Sequence, residues 1–256
     1  SKICEMNYKK NVIISGSKGL IGKNLVQFLK LKNKNVYEID IKKKLKNEEN
    51  YFRCDITREE QVKKTIKQIT KINNIDVLIN NAAYNPKFNS KKYSFSNYDL
   101  NKWKKNLEVD LIGSFLLSKH VCKNFEKNNK GLIINISSVY GLVAPDQSIY
   151  SNTKKDKIGF KPLEYSVSKS GIIGFTKSLA SFYSGTNIKV VSLSLGGIYT
   201  KNMNPSFIKR YSKKTIEKRL ANVSEYNEFI NFLCSGKLNY VSGSNFVLDG
   251  GASSVI

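Results

Sequence analysis

The chain of 256 residues holds a single histidine, His120, and four cysteines, Cys4, Cys54, Cys122 and Cys234, widely spaced and without a Cys-x-x-Cys pair. Ligands this few and this scattered assemble neither a zinc site nor a disulfide framework, so reduced structural thiols and no bound metal are expected. No Pro- or Gly-rich linker and no internal repeat divides the chain. One domain spanning 1–256 is expected, a length at which α/β domains still form a single core. No apolar stretch approaches the roughly 20 residues that a membrane span needs. The opening Ser1-Lys-Ile-Cys-Glu-Met lacks the apolar block of a secretory signal. A cytoplasmic protein without a membrane partner is the expectation.

Acidic residues are also short in supply: 20 Asp and Glu stand against 43 Lys and Arg, a formal net charge of +23. Such a balance raises the question of nucleic acid or an anionic membrane. The lysines, however, are dispersed along the whole chain among many asparagines, as an AT-rich coding sequence would produce. The short clusters Lys42-Lys43-Lys44 and Lys154-Lys155 do not interleave with aromatics as a base-stacking surface does. No specific nucleic-acid partner is expected, and the charge serves better to attract anionic substrates.

What is present is alternation. Short β-branched runs at Asn11–Ser15, Asn35–Asp40, Val77–Ile79, Gly131–Ile136, Ile188–Leu193 and Asn245–Leu248 are mostly separated by helical stretches, the first from about Gly19 to Leu31. Alternating β and α segments imply an α/β fold: a doubly wound parallel sheet with helices on both faces, as in the Rossmann fold, which binds ligands beyond the carboxyl ends of its strands. The first strand runs into Ser15-Gly16-Ser-Lys18-Gly19-Leu20-Ile21-Gly22. Gly16 can make a tight turn, Gly19 can let the backbone approach a pyrophosphate, and Gly22 can let the helix sit close to the strand. In that context Gly16, Lys18, Gly19, Leu20 and Ile21 are expected to contact a dinucleotide. Asp40 ends the second strand, where a carboxylate accepts hydrogen bonds from both ribose hydroxyls and repels a 2′-phosphate, which favours NAD. Lys18 and Lys42 to Lys44 argue for NADP, and NADP therefore stays open.

Tyr165 and Lys169 lie four apart in Leu163-Glu-Tyr-Ser-Val-Ser-Lys169 and share one face of a helix. A fixed ammonium beside a phenol favours the phenolate, so the pair can move a proton to or from a substrate hydroxyl. A chance Tyr-x-x-x-Lys is easy to find in a chain rich in both residues, and the weight of this one comes from the motifs around it. A rival, Tyr150-Ser-Asn-Thr-Lys154, is set aside because Gly159 and Pro162 break any helix continuing from it.

With these residues in place the chain resembles the short-chain dehydrogenase/reductase family along essentially its full length. Asp55-Ile56 is similar to the family's adenine-contacting pair. Asn80-Asn81-Ala82-Ala83 resembles its Asn-Asn-Ala-Gly turn beside the adenosine ribose. Ile136-Ser137-Ser138, Tyr165-x-x-x-Lys169, Gly196-Gly-Ile-Tyr-Thr200 and Asp249-Gly250-Gly251 follow in the family's order. The resemblance implies that Ser138 holds the substrate oxygen, that Tyr165 exchanges its proton, and that Lys169 binds the nicotinamide ribose while lowering the Tyr pKa. It places Ile198 and Thr200 against the nicotinamide carboxamide, with Gly196 in the same loop. It also implies a homodimer or homotetramer formed through the helices carrying Asp110 and Tyr165.

Four departures mark this chain. Its glycines read G-x-x-G-x-x-G, the spacing of the family's extended, sugar-nucleotide branch, whereas its length and Asp249-Gly-Gly look like the shorter branch. Asp110 stands where the family has a catalytic Asn that holds a proton-relaying water, and it brings a charge next to Lys169. Leu195 replaces a Pro before Gly196. Finally, 27 positions separate Ser138 from Tyr165, about twice the usual gap, so residues 144–163 are expected to be an insertion at the substrate rim offering Asp146, Gln147, Ser148 and Asn152. The segment 201–220 is expected to form a lid, with Lys209 and Arg210 either meeting an anion or simply solvated. Trp103, with Leu107 and Leu111, is expected in core or subunit contacts. Ser138 to Tyr150 with its insertion is similar to oxidoreductases of bacterial surface-sugar and flagellin-glycan pathways.

The expected function is interconversion of a secondary alcohol and a ketone on a small polar, sugar-derived molecule. The alternatives are a 3-oxoacyl thioester reductase using NADPH, and a dinucleotide-binding regulatory module without turnover, for which Asp110 is the one hint.

Overall fold

In a computed structural model, residues 9–85, 89–90, 94–152 and 157–254 are described. The order of elements is β1 (Asn11–Ser15), α1 (Leu20–Leu31), β2 (Asn35–Asp40), β3 (Tyr51–Arg53), α2 (Glu59–Ile72), β4 (Val77–Asn80), β5 (Asn89–Ser90) and α3 (Leu100–Leu107). A π-helical turn, Glu108–Ile112, joins α3 directly to α4 (Gly113–Asn128). Then come β6 (Gly131–Ser138), β7 (Ser151–Asn152), β8 (Lys157–Gly159), α5 (Leu163–Phe182), β9 (Ile188–Leu195), α6 (Pro205–Lys213), α7 (Asn227–Cys234) and β10 (Asn245–Leu248).

Seven strands form one parallel sheet in the order β10-β9-β6-β4-β1-β2-β3. The sheet is covered on both faces, so its central strands are apolar throughout rather than alternating. Strand pleating divides them between two cores. Ile13 packs with Val62, Ile66, Leu117, Val121 and Phe125 of α2 and α4 on one face. Val12 and Ile14 pack with Leu25, Val26 and Leu29 of α1 and Ile230 and Leu233 of α7 on the other. The doubly wound α/β expectation is met, and the strand order reverses between β1 and β4, where such sheets open a ligand crevice.

Two features go beyond the sequence pattern. β3 is too short to show a period. Within residues 144–163 stand a 3-10 turn at Gln147–Tyr150 and the strands β7 and β8, which join β5 from outside the segment in a small antiparallel sheet of order β5-β8-β7. Tyr150 is thus followed at once by a strand rather than a helix, and Lys154 lies outside the described residues. Among the described residues no helix is long and apolar enough to cross a membrane.

Candidate active site

The carboxyl ends of the strands open into a cavity of about 1120 Å³. It exceeds the roughly 300–1,000 Å³ of a site for one small molecule. At one end lies the glycine turn. Gly16 has φ +65°, and a Cβ there would stand 2.7 Å from the Ala82 Cα; a Cβ on Gly22 would stand 2.1 Å from the Gly16 carbonyl oxygen. Both positions need glycine, Gly22 because α1 presses directly on the turn. Asn81 fixes the opposite wall: its Nδ2 donates to the carbonyls of Ser15 (2.9 Å) and Gly16 (3.1 Å), while Ser15 Oγ accepts from the N–H groups of Asn81 and Ala82.

Asp40 closes this end. Its carboxylate is buried and accepts from the backbone N–H of Lys18 (2.8 Å) and of Lys42 (3.1 Å). Lys18 itself is not among the cavity-lining residues: its ammonium is drawn to Glu48 (2.9 Å), to the Lys43 carbonyl (2.7 Å) and over the Tyr51 ring. Gly16, Gly19, Leu20, Ile21, Asp40, Asp55, Ile56, Asn81, Ala82, Ala83, Gly196, Ile198 and Thr200 all line the cavity. Burial acts to raise the Asp55 carboxyl, but hydrogen bonds from Thr57 outweigh it and hold the group below its ordinary value.

Ser138, Tyr165 and Lys169 line the other end. Ser138 terminates β6, and its Oγ accepts from the Tyr140 N–H at 3.2 Å. Tyr165 and Lys169 occupy the first two turns of α5, which Pro162 starts in the manner of a helix-leading proline. The Lys169 ammonium is buried, donates to the Ile136 carbonyl (3.2 Å) and pairs with Asp110 at 3.3 Å. Burial acts to lower the Lys169 pKa, but the charges of Asp110 and Tyr165 and the Asp110 contact outweigh it and hold the group above its usual value. Asp110 lies behind the wall, in the π-helical turn, an irregularity that recurs at functional sites. Its carboxylate accepts from the Tyr84 N–H (2.8 Å) and the Ser168 hydroxyl (3.2 Å), so both oxygens are engaged.

The expected rim residues are used differently. Asp146 pairs with Lys214 at 2.9 Å and caps Ser148, and Gln147 bonds the backbone of Lys161 on both sides. Arg210 donates to the Ile149 carbonyl (3.0 and 2.9 Å) and so ties α6 to the turn at Gln147–Tyr150; Lys209 is exposed. Trp103 meets Tyr98 edge to face. The walls at this end are instead Tyr84, Tyr140, Tyr150, Phe207, Tyr211 and Lys161, of which only Tyr150 is a site candidate by sequence, in the rival Tyr-x-x-x-Lys set aside above. Tyr150 donates to Tyr140 at 2.9 Å, and burial pushes both phenols up, so both stay protonated hydroxyls at neutral pH.

A glycine turn, a strand-end carboxylate and a Ser, Tyr and Lys set along one cavity define a dinucleotide-dependent oxidoreductase architecture. The family model described as enoyl-(acyl carrier protein) reductase matches residues 26–253. The post-translational flagellin modification protein A of Campylobacter coli is 30% identical over 94% of this chain and 97% of its own length. A 3-oxoacyl-(acyl-carrier-protein) reductase of Buchnera aphidicola subsp. Baizongia pistaciae is 29% identical over 95% of this chain and 97% of its own. The crystal structure of a short-chain dehydrogenase from Leptospira borgpetersenii serovar Hardjo-bovis with bound NAD+ superposes with a TM-score of 0.85 at 30% identity, covering 96% of this chain and 93% of that one. The chain belongs to the short-chain dehydrogenase/reductase family of oxidoreductases, whose reaction centre is a CH–OH group.

Proposed function

We propose that the protein is an NAD-dependent oxidoreductase that interconverts a secondary alcohol and a ketone on a sugar or sugar-derived substrate. The observation that carries this reading is the continuous cavity with Asp40 at one end and Ser138, Tyr165 and Lys169 at the other. The residues fit a dinucleotide: Gly16 and Gly19 put side-chain-free backbone on the cavity wall, and Gly22 lets α1 sit close behind them. The Asp40 carboxylate keeps lone pairs beyond the two used by Lys18 and Lys42, and these would accept the adenosine ribose hydroxyls. Leu20 and Ile21, at the N-terminus of α1, would meet the pyrophosphate, and Asp55 and Ile56 the adenine. Asn81, Ala82 and Ala83 would flank the adenosine ribose, and Gly196, Ile198 and Thr200 the nicotinamide.

NAD, when bound, supplies the hydride acceptor. Ser138 would hold the substrate oxygen and Tyr165 would take the hydroxyl proton as the C–H bond breaks. Lys169 would bind the nicotinamide ribose. In place of an amide holding a water, Asp110 fixes the Lys169 ammonium beside the ring of Tyr165, whose centroid is 5.7 Å away.

Aromatic faces carrying protonated hydroxyls at Tyr140 and Tyr150 suit a substrate with alternating C–H and O–H groups, as a sugar has. The likeness to the Campylobacter protein points the same way, and that to the Buchnera enzyme favours the second reading, a thioester reductase using NADPH. Residues 201–220 would act as a lid, since Arg210 and Lys214 join α6 and its C-cap to the insertion. Ile112, Phe115, Val167 and Phe182 are exposed on α4, α5 and the π turn, and would bury themselves in a homodimer or homotetramer.

Parallel calorimetric titration with NADH and NADPH, followed by assays on hexoses, polyols and 3-oxoacyl thioesters, tests the proposal. Tighter NADH binding by about tenfold or more, with oxidation of a sugar, is expected. NADPH preference with turnover of thioesters alone would overturn it.

A further inference from the structure

Lys161 occupies the short link between β8 and α5 and belongs to none of the family's motifs. Its backbone is clamped on both sides by one side chain: the Lys161 N–H donates to Gln147 Oε1 (2.8 Å) and its carbonyl accepts from Gln147 Nε2 (3.1 Å). The ammonium is thereby aimed into the cavity, donating to Asn85 Oδ1 (2.9 Å) and standing 3.5 Å from the centroid of the Tyr165 ring and 6.0 Å from that of Tyr140. An ammonium has three N–H donors and no acceptor. Asn85 takes one and the Tyr165 face a second, which leaves a donor for an oxygen in the cavity.

Among the described residues no carboxylate lies within ion-pair distance of Lys161. Of the two acids that face it, Asp110 is engaged by Lys169, Ser168 and Tyr84, and Glu164 by Tyr98 through one oxygen, its buried Oε1 making no hydrogen bond. Lys169, Tyr165 and Tyr140 complete the titratable groups around it. Burial first, then the Lys169 charge, push the Lys161 ammonium down to about 7, against Asp110 and Glu164. Lys161 is half-buried at the cavity wall, where an ammonium without a counter-ion is only partly hydrated, and a bound anion offsets that cost.

We propose that Lys161 and Asn85 form an anion subsite beside Tyr165, so that the substrate is an acidic sugar whose carboxylate or phosphate lies close to the carbon undergoing oxidation. The proposal rests on the sugar oxidoreductase reading above and adds the substrate class to it. The closeness follows from the contact of the ammonium with the Tyr165 ring, which leaves little distance between the anionic group and the reacting hydroxyl.

The test is calorimetric titration of the NADH-saturated protein, which cannot turn over an alcohol, with glucose, glucuronate and glucose 6-phosphate. The expected result is that one anionic probe binds about tenfold or more tighter than glucose, that Lys161→Gln equalises the two, and that Lys161→Arg keeps part of the preference. Which anion is preferred separates carboxylate from phosphate. Anionic probes that bind no tighter than glucose, including no binding by any probe, overturn the proposal. So does a preference that survives Lys161→Gln, which would belong to the net charge of the chain, or an equal weakening of all three probes, which would make Lys161 a support for Tyr165. Should Lys161→Gln fail to bind NADH, Asn85→Ala takes its place, with the preference expected to fall. Protein that binds NADH and oxidises neutral sugars without preferring anions sinks only the subsite, whereas turnover confined to thioesters sinks the sugar reading itself.

Discussion

Asp110 and Lys169 form a buried ion pair whose carboxylate oxygens are fully engaged. Removing one partner of such a pair leaves a buried charge uncompensated, at about 3–5 kcal/mol. Asp110→Asn keeps the shape and loses the charge, so a loss on the order of 3 kcal/mol at neutral pH is expected in denaturant unfolding. The Lys169 pKa is raised in the folded state, so this contribution is present below its unfolded value and is lost as pH rises through the folded one. Lys161 has the opposite sign. Its folded value is lowered from 10.5 to about 7, so the unfolded chain binds the extra proton between those limits and stability falls as pH falls across them. Lys161→Met is expected to raise the melting temperature at pH 7, with the gain fading towards pH 10.5; a gain that grows with pH would contradict the assignment. Ser138, Tyr165 and Asp40 were legible because each sits at a fixed place in a motif. Lys161 was not, since its role depends on a glutamine 14 positions earlier that turns it into the cavity. Lys18 was legible as a charge near the turn but not as the partner of Glu48, which lies on a segment without periodicity.

At the scale of elements, the glycine turn and α1 meet so closely that Gly22→Ala places a Cβ 2.1 Å from the Gly16 carbonyl oxygen. The helix must shift, at about 1–3 kcal/mol, and the turn moves with it. Loss of NADH affinity together with lowered stability is expected by calorimetry and thermal unfolding, whereas wild-type affinity would show that the turn is not part of the binding wall. Most elements follow from β-branched runs and amphipathic stretches, because strands buried on both faces are continuous in sequence. The π turn at Asp110 leaves no such trace: its apolar spacing is that of a helix, and one extra residue per turn is invisible to the pattern. The polar rim fared likewise. Asp146 and Gln147 are polar as expected, yet they are consumed in holding Lys214 and Lys161, and aromatic side chains form the wall.

For the whole molecule, alternation of strands and helices was enough to give a doubly wound parallel sheet, but not its strand order, which depends on which side of the first strand each crossover returns. What alternation does not contain is the union of two crevices, over the glycine turn and over α5, into one cavity. That union is what makes an alcohol and a dinucleotide neighbours. Exposed apolar residues also stand on α4 and α5. Phe115 is 46% exposed, so Phe115→Glu is expected to shift the protein in sedimentation velocity from an oligomer towards monomer. A wild-type monomer would contradict the proposed assembly. The central claim, that Tyr165 moves the proton in a reaction whose hydride goes to a dinucleotide in this cavity, is tested most directly by Tyr165→Phe. Measured side by side, NADH affinity is expected to be retained while turnover of the best alcohol falls by about 10²–10⁴-fold. Turnover that survives the change with NADH still bound would place the proton transfer elsewhere.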